Sequence, residues 1–180
     1  MIKTAGAGFI SSEGLGPIVT PADMPPSASP ALSEFEFALI LASHAFLRWI
    51  VRAMAGAGFP DLSPTDVMVL HCVDQRGRRK RLADICLALN IEDTHLVAYA
   101  IKRLERLGLV TSAIVAKEKL VAVTARGEEA CRAYRRIRET LLVEPIEAIG
   151  FEKSRLAKLA ARLRALSGHY DQAGRAAARL

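Results

Sequence analysis

The sequence predicts a mainly helical chain with one β-hairpin, and three observations carry that prediction. Apolar residues recur at spacings of three and four through most of the chain after residue 31. Alanine, leucine and arginine dominate, while aromatic residues make up only 6%. Stretches rich in Val, Ile and Thr with period-two alternation are confined to residues 109–124. The 180 residues suffice for one ordinary domain, or for a smaller domain with long additional helices, and the pattern favours the second.

Residues 1–31 hold Gly6, Gly8, Gly14, Gly16 and five prolines with few bulky side chains, which predicts a disordered or extended tail. Residues 32–61 form an N-terminal helix and loop. Ser33 and Glu36 read as a capping box, with Leu32 stapled onto Phe37, and the helix then runs to about Ala55 before Gly56 and Gly58. Phe35, Leu39, Phe46 and Trp49 make it apolar over much of its circumference, so it needs cover on several sides, from a second subunit or from the rest of the chain.

Residues 62–124 repeat the start logic. Ser63 caps a helix over about 64–75, Pro64 occupies its first position, Asp66 supplies the box acid, and Leu62 faces Val67. His71 on that helix has no Cys or His partner at ligand spacing and reads as a packing residue, so no metal site and no cofactor are expected. Arg76 to Arg81 place five cations in six residues, which suits either a solvated loop or phosphate contact. Leu82, Ile85, Cys86 and Leu89 mark a short amphipathic helix that Asn90 ends. A second helix spans 94–107, with Glu92, Asp93 and Thr94 at its start and Gly108 after its end. Its Val97, Ala100, Ile101 and Leu104 form one face, and His95, Tyr99, Lys102 and Arg106 form another. Helix, short turn, helix is the helix-turn-helix pattern. Two strands over 109–115 and 119–124, joined by Ala116-Lys117-Glu118, then form a two-stranded wing, and the wing is the only sheet expected.

In residues 125–180, Thr124 caps a helix carrying Ala130, Tyr134, Ile137 and Leu141, which Pro145 should bend or end. A last helix sets Leu156, Leu159, Leu163 and Leu166 at spacings of three, four and three, a short coiled-coil-like seam, and the Ala/Arg/Gly-rich residues after Gly168 carry no assignment. The predicted class is therefore mainly α: a winged helix-turn-helix domain with a two-stranded β wing, flanked by long N- and C-terminal dimerisation helices.

Charge and cysteine content bound the function. The net charge is +6 and the sequence pI about 9.5. Residues 1–61 carry three basic and five acidic groups, residues 62–124 ten and seven, and residues 125–180 twelve and seven, so the surplus lies in the last two thirds. That distribution suits a polyanionic partner. Cys72, Cys86 and Cys131 are odd in number and sit in apolar helical patterns, which predicts reduced core residues and a cytoplasmic protein. The longest uninterrupted apolar run, Phe37–Ala42, is too short for a bilayer, so no membrane partner is expected. No Gly-rich phosphate loop, nucleophile elbow or metal triad is present, and an enzyme is not expected.

Leu104-Glu105-Arg106-Leu107-Gly108-Leu109-Val110 and Val123-Thr124-Ala125-Arg126-Gly127 are two phrases whose separation matches a known pattern. Leu62 to Gly127 resembles the winged-helix domain of MarR-type transcription regulators, and with the flanking helices the resemblance covers roughly residues 32–150. The chain departs from that family in having Ala98-Tyr99 where a Thr-Arg or Ser-Arg pair is usual, and in lacking an Asp-x-Arg element between Val110 and Lys119. Lys117 and Lys119 lack the bidentate fork of the wing arginine.

The resemblance implies a homodimer on double-stranded DNA, two 94–107 helices entering successive major grooves about 34–36 Å apart, and response to a small aromatic or anionic effector. The expected DNA-facing residues are Arg78, Arg79, Thr94, His95, Tyr99, Lys102, Arg103, Lys117 and Lys119. Phe35, Leu39, Phe46, Trp49, Leu156, Leu159 and Leu163 are the dimerisation candidates. The alternative class is a winged-helix module that binds another protein through the aromatic first helix or the leucine seam.

Overall fold

The computed structural model describes residues 29–116, 118–150 and 152–180. Of the tail expected over residues 1–31, residues 1–28 lie outside the described residues, as does the wing lysine Lys117, while Pro30 and Ala31 already belong to the first helix. Seven helices, α1 (Pro30–Gly56), α2 (Pro64–Asp74), α3 (Leu82–Leu89), α4 (Thr94–Arg106), α5 (Ala125–Arg138), α6 (Glu144–Ala148) and α7 (Lys153–Ala177), are described. They are joined by strands β1 (Lys80–Arg81), β2 (Val110–Val115) and β3 (Glu118–Val123). The chain divides into two compact units, the first ending at Trp49 and the second beginning at Ile50.

In the first unit, α1 starts a turn earlier than the sequence suggests. The Ser29 carbonyl accepts from the N–H groups of Leu32 and Ser33 at 3.0 and 3.3 Å, so Ser33 lies inside the helix and does not cap it. Pro30 explains the difference: its fixed φ suits a first helical position, where its missing N–H removes no bond. Phe35, Leu39 and Trp49 are half-buried, whereas Ile40, Leu41 and Phe46 are exposed. By length and composition α1 is also apolar enough to cross a membrane, a property that its short uninterrupted apolar run conceals.

In the second unit, α2 begins on a complete capping box. Ser63 Oγ accepts from the Asp66 N–H at 3.2 Å, and Asp66 Oδ2 accepts from the Ser63 N–H at 2.8 Å. A single turn over Gln75–Gly77, with Arg76 at φ 65°, leads into β1. The sheet is three-stranded, ordered β1-β3-β2 and antiparallel, so the expectation of a lone hairpin is corrected. Lys80 pairs with Val121 and Arg81 with Leu120. The reason is local: the residues just before α3 must be extended to enter it, and β3 has a free edge to receive them. In the wing, Val110 pairs with Val123 and Val115 with Glu118, so Glu118 opens β3 and does not belong to the turn. Ala116 takes φ 51° in the turn itself, the left-handed region that tight hairpin turns use.

The core of this unit gathers Val67 and Leu70 of α2, Ile85 of α3, Val97 and Leu104 of α4, and Leu109, all fully buried. Each contributes about 1.5–3 kcal/mol by leaving water. The junction of α4, sheet and α5 explains the two sequence phrases physically. Gly108 at φ 69° ends α4 in a Schellman turn, its N–H bonding Glu105 O at 3.0 Å while Leu109 N–H bonds Leu104 O at 2.9 Å. Thr124 Oγ1 donates to Gly108 O at 2.7 Å and accepts from Gly127 N–H at 3.1 Å. A Cβ on Gly127 would stand 2.1 Å from Leu109 O, so only glycine fits there.

Beyond α5 the helical path does not break at Pro145. A π-type turn over Glu139–Val143, closed by the Glu144 N–H bonding Glu139 O, leads directly into α6, whose first turn holds Pro145. Helix α7 runs on through Gly168 and Gly174 to Ala177, over residues that carry no assignment from the sequence. Surrounding alanines and arginines favour helix enough to outweigh about 1 kcal/mol for each glycine.

Candidate nucleic-acid interface

Helix α3, the turn 90–93 and α4 form the helix-turn-helix. Asn90 closes α3 in the left-handed conformation at φ 52°, and the Ile91 N–H bonds Cys86 O at 3.0 Å. Asp93 then caps α4, its Oδ1 accepting from the His95 N–H at 2.9 Å. With both ends fixed and Val97, Ala100, Ile101 and Leu104 buried, the opposite stripe of His95, Tyr99, Lys102 and Arg106 faces out. Thr94, in the first turn, is exposed as well. A shallow hollow of about 550 Å³ runs along that stripe, lined by Tyr99, Lys102, Glu105 and Arg106.

The structure sorts the predicted cations. Arg78 and Arg79 are exposed on the loop before β1 and have no ion-pair partner among the described residues. Their neighbours in the same run are engaged: Lys80 Nζ donates to Val73 O at 3.2 Å and Gln75 O at 2.7 Å. Arg81 forks onto Asp84 at 2.9 and 3.0 Å and reaches Glu118 at 3.4 Å. Those bonds push the Arg81 pKa up and the Asp84 pKa down.

Arg103 is engaged within the fold. Its Nε lies 3.5 Å from Asp66 Oδ2 and its Nη2 donates to Asp61 O, so the guanidinium ties α4 to the start of α2. Helix rotation accounts for it, since Arg103 sits at the edge of the exposed stripe beside the α2 N-terminus, where a buried acid waits. Lys119 stands 3.6 Å from Glu105 and is partly engaged there, though its side chain remains exposed. Sequence reasoning placed Asp66 in a capping box and missed its second partner. No sequence signal marks it: that Asp66 is buried to 1% exposure, and so needs a cation nearby, is set by packing.

The dimerisation candidates fall in both units. Phe35, Leu39, Phe46 and Trp49 lie on the first-unit part of α1, with Phe46 at 54% exposure. Leu156 and Leu159 are exposed on α7, Leu163 is half-buried, and the first two line a hollow of about 310 Å³ with Ile149, Gly150 and Arg155.

Two further features lie around α5. A hollow of about 350 Å³ is lined by Phe59, Arg126, Glu129, Arg136 and neighbouring small residues, with the Arg126 guanidinium 5.7 Å from the Phe59 ring centre. Between α2 and α5, His71 packs on Tyr134 with ring centres 4.4 Å apart, and Arg135 pairs with Asp74 at 2.9 Å. Burial lowers the His71 pKa, opposed by Asp74 and reinforced by Arg135. Burial raises the Cys72 thiol, and burial with Asp74 pushes Cys131 up to about 12. All three cysteines are buried free thiols. Among the described residues no group of three or more His, Cys, Asp or Glu side chains is placed to hold a metal ion.

Residues 62–127 match the family model of a winged helix DNA-binding domain. No curated protein matches the sequence. Among solved structures, a MarR-family transcriptional regulator from Rhodococcus sp. RHA1 aligns with TM-score 0.62 at 16% identity, covering 79% of this chain and 96% of that one. CouR from Rhodococcus jostii RHA1, solved with p-coumaroyl-CoA, aligns at 0.59 and 16% identity over 74% and 91%. The transcriptional regulator MosR from M. tuberculosis, solved in complex with DNA, aligns at 0.57 and 18% identity over 74% and 95%.

Proposed function

Because the chain has the winged-helix fold of MarR-type transcription regulators, we propose that it is a sequence-specific DNA-binding regulator that works as a homodimer and responds to a small ligand. The observation that carries the DNA reading is α4 itself. It is a helix capped at both ends and buried along one face, and it offers His95, Tyr99, Lys102 and Arg106 outward with the cations Arg78 and Arg79 available on the same unit. In this reading α4 enters a major groove while Arg78, Arg79, Lys117 and Lys119 hold phosphates outside it. The DNA complex of MosR supports that use of the fold.

A homodimer accounts for the exposed Ile40, Leu41 and Phe46 of α1 and for the Leu156–Leu159 stripe of α7, apolar area that a monomer leaves in water. The hollow lined by Arg126, Arg136 and Phe59 has the size and the mixture of cation and aromatic that a small aromatic or anionic effector requires, and CouR is a relative in fold that holds p-coumaroyl-CoA.

Fluorescence polarisation with mixed genomic fragments at two salt concentrations tests the reading. Binding that weakens steeply with salt, and a site enriched by selection, are expected. One observation favours a second reading, a protein-binding winged helix: Ile114 near the wing tip is 80% exposed and no arginine accompanies it. Retention of no DNA even at low salt makes that second reading the better one.

A further inference from the structure

In a helix-turn-helix the N-terminal residues of the recognition helix contact the base edges, here taken as its first two turns. In α4 these run from Thr94 to Ile101, and with Val97, Ala100 and Ile101 buried and Ala98 half-buried they expose Thr94, His95, Leu96 and Tyr99. That set contains no Arg, Lys, Asn or Gln, the side chains that grip guanine O6/N7 or adenine N6/N7 with two hydrogen bonds. Nearby groups do not supply the lack. Arg103 is held by Asp66 and Asp61, and the Asp93 carboxylate is engaged by the His95 N–H as the helix cap. Lys102 is the first residue past those two turns.

Beside Thr94 and His95, the exposed set holds two large side chains with broad apolar surfaces, Leu96 and Tyr99. Leu96 is 54% and Tyr99 63% exposed, and at a spacing of three they adjoin on the helix surface. Lys102 and Arg106 continue the stripe past Tyr99, and Glu105 between them is partnered by Lys119 at 3.6 Å. The surface is thus a small apolar patch followed by cations, which matches a polyanion that carries an apolar group. On the major-groove edges of DNA that group is the thymine C5-methyl.

Resting on the DNA-binding reading above, we infer that this protein reads its operator chiefly through thymine methyl groups, which Leu96 and Tyr99 cover. Arginine–guanine pairing has no part in the readout. Each half-site then holds one or two thymines whose methyls leave water against these side chains.

The test uses the full-length protein and a duplex enriched from a random pool. Each thymine is replaced in turn by deoxyuridine, which removes the methyl and keeps every hydrogen-bonding group. At one or two positions per half-site, affinity should fall about four-fold, the loss equivalent to about 0.8 kcal/mol for one buried carbon. Leu96→Ala and Tyr99→Ala should bind thymine and uracil duplexes alike, with melting temperatures unchanged because both side chains are exposed. Lys102→Ala should weaken both duplexes and keep the ratio between them.

Wild-type binding that ignores every methyl, or that weakens instead on 7-deazaguanine substitution, overturns the inference while leaving the DNA reading intact. Failure to bind any duplex at low salt overturns both.

Discussion

At Asp66 one buried carboxylate accepts from the N–H and the hydroxyl of Ser63 and stands 3.5 Å from the Arg103 guanidinium. Removing it leaves the cap unmade and a half-buried cation without its partner, so Asp66→Ala should cost about 1–3 kcal/mol in chemical denaturation. Arg103→Ala should likewise lower the melting temperature, whereas Lys102→Ala should leave melting unchanged and weaken DNA binding. The reverse pattern would mark Arg103 as a DNA contact. Gly127→Ala should be severe, by at least about 2–3 kcal/mol, because the new methyl meets the Leu109 carbonyl and the backbone cannot withdraw without breaking the Thr124 cap. Near-normal stability of that variant would show that the strand and α5 can separate.

His71 makes stability depend on pH. Its folded pKa lies below the ordinary 6.5 because burial disfavours the charged ring, so below that pH the unfolded chain takes up a proton that the folded chain refuses. The contribution is whole above about 6.5 and shrinks as the pH falls. Thermal melts between about pH 7.5 and 5 should show a decline that His71→Gln reduces; equal slopes in the two proteins would remove His71 as the cause. Cys131, raised to about 12 from 9.0, acts oppositely: its contribution is whole below about pH 9 and is lost as pH rises toward 12.

At the scale of elements, the loop before β1 and helix α4 should contribute to DNA affinity in different ways. Arg78→Ala with Arg79→Ala removes charge without touching the groove face. Binding to all sequences should weaken alike, and the salt dependence should flatten by about 0.9 log units per lost phosphate contact. Tyr99→Ala should weaken the selected site by about 0.8 kcal/mol for each methyl it leaves uncovered and change little on a scrambled one. A salt titration of each variant on both duplexes separates the two effects, and identical behaviour of the two variants would mean that α4 does not lie in a groove. The sheet bears on this because Arg81 joins Asp84 at the start of α3 to Glu118 at the start of β3. That link lies beside the β1–β3 pairing that joins the wing to the helix-turn-helix.

For the whole molecule, the question is what covers the apolar stripes. Light scattering should give twice the chain mass, and Leu159→Lys with Leu163→Lys should reduce it if α7 carries the seam. A wild-type monomer at micromolar concentration would rule out a model of two half-sites read by two α4 helices. Membrane-bound material in a fractionated lysate would instead point to α1, which has the length and hydropathy for that role.

The sequence by itself determined the local parts: the α2 capping box, the left-handed Asn90 and Gly108, the buried and exposed faces of α4, and the hairpin that follows. Each of these depends on residues within a few positions of one another, where cap chemistry and periodicity act directly. Only the tertiary structure decided which cations are available. Arg103 meets Asp61 from 42 residues away, Arg81 meets Glu118 across 37, and Arg135 meets Asp74 across 61. β1 was invisible for the same reason, since two residues become a strand only when a distant edge lies beside them. A side chain's charge is written in the sequence, but whether another part of the fold neutralises it depends on distances that only packing sets.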